Sequence, residues 1–98
     1  MNDLAEAMDR LRERFLVRAA GDLVDLRRWA RDPPAHAEDL HALVHRLAGA
    51  AGTFGFHRLS DLAKCAEDAL VAGASSPKAA LEGLIEDLEH TLRRETFG

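Results

Sequence analysis

Leu43-Val44-His45-Arg46-Leu47-Ala48-Gly49-Ala50-Ala51-Gly52-Thr53-Phe54-Gly55-Phe56 carries a helical pattern from which the rest of the architecture follows. Wound at about 3.6 residues per turn, it puts Leu40, Leu43, Val44, Leu47, Ala51 and Phe54 on one stripe, the pattern of a helix that faces a core. His45 then points away from that core. Around it on the outer face fall Ala42, Ala48, Gly49 and Gly52, none with a side chain larger than a methyl. Two glycines inside a helix cost roughly 1 kcal/mol each relative to alanine. A local rule broken beside an exposed histidine marks a candidate functional site, because a partner that approaches the backbone closely can repay the loss. Neutral imidazole is a nucleophile near neutral pH, and its ring nitrogen can carry a phosphoryl group if a second protein docks flat enough to deliver it.

Working outward, the preceding apolar positions Leu4, Met8, Leu11, Phe15, Ala19, Leu23, Leu26 and Ala30 recur every three or four residues. They predict one long amphipathic helix or two in sequence, with Gly21 as the place for a break or kink. Asp32-Pro33-Pro34 ends this element, since two prolines cannot continue a helix interior. The central helix is expected to start at Pro34 or Ala35, with Glu38 and Asp39 near its positive end. It runs to about Phe54, where Gly55 serves as a left-handed C-cap and Phe56 closes over the helix end.

Downstream, Leu59, Leu62, Ala63, Ala66 and Leu70 predict a third helix that stops near Gly73, with a narrow, alanine-rich stripe suited to close packing. Ser76-Pro77 reads as the next start, Ser76 as N-cap and Pro77 in the first helical position. Leu81, Leu84, Ile85, Leu88 and Leu92 face inward on the last helix, which frays at Thr96-Phe97-Gly98. No segment alternates with period two over a useful length. The expected fold is all-α, an antiparallel up-and-down four-helix bundle with an N-terminal helical extension or a split first helix.

The 98 residues suffice for a single domain over 1–98 with one core, too short for an added nucleotide-binding domain, and no Walker-type loop is present. A formal net charge of −4, with 31% charged and 47% hydrophobic residues, suits a soluble globular chain and argues against general nucleic-acid binding. The arginines at 10, 12, 14 and 18, and at 27, 28 and 31, are interleaved with acids and read as a solvated helix face. One cysteine, Cys65, cannot form an internal disulfide, and neither a signal peptide nor a run of about 18 apolar residues is visible. Cytoplasmic localisation, no membrane attachment and a monomer are therefore expected, with Cys65 a partly buried packing residue.

The spacing His-x-Leu-x-Gly with a further Gly ten residues after the histidine, here His45, Leu47, Gly49 and Gly55, resembles the histidine-phosphotransfer (HPt) domains of bacterial phosphorelays. Leu59-x-x-Leu62-Ala63-x-x-Ala66-Glu67 looks like the family's following helix. The resemblance implies a phosphocarrier without autokinase activity. His45 would accept a phosphoryl group from the phosphoaspartate of a receiver domain and pass it to the aspartate of another. Its partners would be receiver domains of a hybrid histidine kinase or a response regulator. Magnesium is expected on the receiver and no cofactor on this chain, which offers no acidic metal-binding cluster near His45 and no obvious general base beside it. Ala42, Arg46, Ala48, Gly49 and Gly52 form the expected docking face. The family commonly has Lys at the position of Ala48; Arg46 is the nearest candidate to replace its charge.

Two rivals compete with this reading. His41 and His45 lie at i, i+4 and could share a zinc ion, but the remaining ligands are not placed by the pattern, and His41 is better read as a polar neighbour and possible auxiliary of His45. His36, His57 and His90 read as surface or helix-end histidines. The other rival, from a different class, is a helical adaptor that binds a receiver or a partner helix and is never phosphorylated.

Overall fold

A computed structural model describes residues 3–32, 37–73 and 77–97. Four helices follow one another, α1 (Asp3–Arg31), α2 (Ala37–Thr53), α3 (His57–Val71) and α4 (Lys78–Phe97), with no strand among the described residues. Helix α1 packs on α2 and α4, and α3 packs on α2 and α4, so the four close into an up-and-down antiparallel bundle. The core is built from the expected stripes: Phe15, Ala19, Leu23 and Leu26 from α1, Leu40, Leu43, Val44, Leu47 and Ala51 from α2, Leu59, Ala63 and Ala66 from α3, and Leu81, Leu84 and Leu88 from α4.

Of the two alternatives for the first stretch, one long helix is the one that forms. It runs unbroken through Gly21, which is exposed and has open space around it. One glycine costs a helix about 1 kcal/mol, less than the packing of the stripe on either side of it returns. The stripe is also not buried along its whole length, since Leu4, Met8 and Leu11 are exposed. At 29 residues, α1 is about 43 Å long against about 30 Å for the 20-residue α4, so its first turns project past the bundle. The Arg12–Glu95 ion pair lies near this end of the packed region, and the helical extension anticipated at the N-terminus is the start of α1 itself.

The turn after α2 forms as the glycine spacing predicts. Gly55 has φ of +83°, its N–H donates to the Gly52 carbonyl at 3.2 Å, and the Phe56 N–H donates to the Ala51 carbonyl at 2.9 Å. This is the paired Schellman arrangement that satisfies the orphan carbonyls of a helix end. Phe56 and Phe54 each pack on Phe15 of α1, both with ring centroids 5.6 Å apart, and the Arg12 guanidinium lies over the Phe56 ring. Gly73, with φ of +68°, also turns left-handed at the end of α3, and its N–H donates to the Leu70 carbonyl at 3.2 Å. The expected start of α2 at Pro34 or Ala35, the N-cap Ser76 and His36 lie outside the described residues; Pro77 precedes α4, and its carbonyl accepts the Leu81 N–H at 3.0 Å. Cys65 is exposed rather than partly buried, because Ala63 and Ala66 take the inward positions of α3 on either side of it.

Candidate functional site

His45 stands on the outer ridge of α2 with 72% of its side chain exposed, as the helical phase requires. Ala42 and Gly49, one turn to either side, are exposed with it, and a Cβ added at Gly49 would meet nothing within 4 Å. These three positions make a smooth, accessible surface.

The remaining expected members of the docking face behave otherwise. Ala48 is only 4% exposed and belongs to the core. The cause is the close approach of α3: the buried Ser60 hydroxyl donates to the Ala48 carbonyl at 2.8 Å. Gly52 faces the same contact, for a Cβ there would lie 3.3 Å from Ser60 Oγ. Gly52 thus admits α3.

Arg46 does not turn toward His45. Its guanidinium donates to Asp22 of α1 at 2.8 Å, and Asp22 is only 7% exposed. Burial raises the Asp22 pKa above its ordinary value near 3.8, an effect that the charge and hydrogen bond of Arg46 and the charge of Arg18 oppose and Asp25 reinforces. The folded state therefore holds this proton more tightly than the unfolded chain does. The contribution to stability is complete below pH 3.8 and is lost as pH rises through the folded pKa. Asp22→Asn should erase that decline, because asparagine can still accept from Arg46 without ionising. The difference in melting temperature between variant and wild type should grow in the variant's favour as pH is raised from 3.8; a difference independent of pH would refute the assignment.

A residue that the spacing did not single out completes the site. Glu67 of α3 brings its Oε2 to 2.5 Å from His45 Nδ1 and to 3.3 Å from His41 Nε2. This corrects the expectation that no candidate base stands beside His45. The signal for it was present in the antiparallel hairpin: His45 lies ten residues before Gly55 and Glu67 twelve after it, which puts both at the same level of the α2–α3 pair. Because a carboxylate only accepts, His45 Nδ1 carries the proton, and the neutral ring presents its unprotonated Nε2 outward.

His41 lies beside His45, their rings 6.2 Å apart and inclined by 19°. Among the described residues no group of three or more His, Cys, Asp or Glu side chains is arranged to hold a metal ion. His57 and His90 are exposed on α3 and α4. No described helix is long and apolar enough to cross a membrane. The arrangement is chemically an exposed imidazole whose Nδ1 side is held by an acid.

Comparison with known protein families gives a match to the Hpt domain over residues 10–95 of the 98. No curated protein and no solved structure matches significantly.

Proposed function

Because the chain belongs to the Hpt domain family, whose members carry phosphoryl groups between receiver domains in phosphorelays and are not themselves enzymes, we propose that His45 is the phosphoryl acceptor and donor of this protein. The observation that carries the proposal is the exposed His45 ring with Glu67 on its Nδ1. Nε2 attacks the phosphorus of a receiver's aspartyl phosphate; the N–P bond forms as the acyl O–P bond breaks, and the aspartate leaves as carboxylate. The ring keeps its Nδ1 proton and becomes an imidazolium, whose charge Glu67 offsets. Passing the group on reverses these steps with a second receiver. The chain has no autokinase activity of its own in this reading, and magnesium is carried by the receiver.

Docking is assigned to the open surface of Ala42, His45 and Gly49. Beside it a groove of about 250 Å³ runs between α1 and α2, floored by Phe15, Leu47, Ala50 and Phe54 and edged by Arg46. An apolar floor bordered by polar groups suits a protein partner.

The deciding experiment is incubation with a phosphorylated receiver domain. Acid-labile, base-stable label should appear on this chain. Binding of the receiver without any such label would replace this reading by that of an unphosphorylated adaptor.

A further inference from the structure

One carboxylate oxygen lies close to two histidines. Glu67 Oε2 lies 2.5 Å from His45 Nδ1 and 3.3 Å from His41 Nε2, with the two rings nearly parallel one helical turn apart. The oxygen accepts from His45 Nδ1, which therefore carries that ring's proton, while His41 Nε2 stands at ion-pair distance from the same atom. The His41 side chain is 41% exposed and that of His45 72%. His41 is thus the better sheltered of the two and the less available to a partner.

The second contact matters because of how His45 must be prepared. A histidine side chain free in water favours the Nε2–H tautomer, which places the proton on the nitrogen that has to attack. Glu67 reverses that preference only while its carboxylate stays on Nδ1, and it reaches there from α3 on a side chain with considerable rotamer freedom. His41 Nε2, 3.3 Å from the same oxygen, is close enough that turning to donate to it would remove part of that freedom. Resting on the reading of His45 as phosphoryl acceptor, we propose that His41 is a positioning residue, which by donating Nε2–H to Glu67 holds the carboxylate where it keeps His45 Nε2 unprotonated. Orienting partners of this kind act on rate through the group they hold, without touching the reacting atoms.

The test needs no receiver. Phosphoramidate is used as a small donor: the His45 Nε2–P bond forms as the donor's P–N bond breaks, and ammonia leaves with the three protons of the zwitterionic donor. Wild type, His41→Ala and His41→Gln are compared by labelling rate and by nitrogen-15 NMR of the His45 ring, with helix content as the control for folding. His41→Ala should shift the ring toward the Nε2–H tautomer and slow labelling by about three- to tenfold, the size expected from one net hydrogen bond. His41→Gln, whose amide can donate to the same oxygen, should recover most of both. A His41→Ala ring that keeps its proton on Nδ1 overturns the inference whatever the rate does, because His41 would then act otherwise than through Glu67. Slowed labelling that glutamine does not recover also overturns it. If wild type takes no label at all, the phosphotransfer reading fails by itself, and the ring tautomer alone still decides whether His41 positions Glu67.

Discussion

Replacing His45 with glutamine should abolish phosphoryl acceptance while leaving the bundle intact. The side chain is 72% exposed and no part of it belongs to the core, so unfolding free energy should stay within about 0.5 kcal/mol of wild type. Glutamine has no ring nitrogen to attack phosphorus, so the loss of label should be complete and not merely partial. Glu67 keeps an imidazole neighbour in this variant, with His41 Nε2 3.3 Å from Oε2. That makes the comparison with His41→Gln informative: it should still be labelled, at a rate near wild type. Label retained on His45→Gln and missing from His41→Gln would identify His41 as the nucleophile. Circular dichroism and quantitative label transfer on the same samples separate chemical loss from unfolding.

The two glycines near His45 should respond in opposite ways to glutamine. At Gly49 the added side chain enters open space, so helix propensity alone acts and the protein should gain up to about 1 kcal/mol. It would also stand one turn from His45 on the surface assigned to the receiver, so transfer from a receiver should fall while labelling by a small donor does not. At Gly52 the first added atom already lies 3.3 Å from Ser60 Oγ. Ser60 cannot yield freely, because it is 3% exposed and its hydroxyl is bonded to the Ala48 carbonyl at 2.8 Å. Turning it away would strand a buried hydroxyl, and moving α3 would loosen the interface that sets Glu67 against His45. Gly52→Gln should therefore lose about 1–3 kcal/mol, as overpacked helix contacts do, which for a domain of this size lowers the melting temperature by roughly 4–8 °C per kcal/mol. Equal melting temperatures for the two variants would show that α2 and α3 do not need this close approach. Unchanged receiver transfer in Gly49→Gln would remove the assigned docking face.

What the sequence determined by itself is what depends on one helix at a time. The three- and four-residue spacing of apolar side chains set the four helices and their inward stripes, and the phase of α2 put His45 outside. Gly55 had to end α2, since its backbone turns left-handed there and Phe56 follows to close the end. Tertiary structure alone decided the features that depend on how near a neighbouring helix comes. Ala48 and Gly49 are adjacent and both small, yet α3 covers Ala48 and leaves Gly49 bare. Arg46 follows His45 directly, but Asp22 on α1 draws it to the other side. Gly21 could break an isolated helix, and packing on both sides of it keeps α1 whole. Glu67, twenty-two residues beyond His45, is its closest chemical partner. A helical phase specifies an angle about one axis, whereas a contact also requires the distance and rotation of a second axis. In this bundle those are set where Gly52 and Ala48 let Ser60 approach, a contact visible only once both helices are in place.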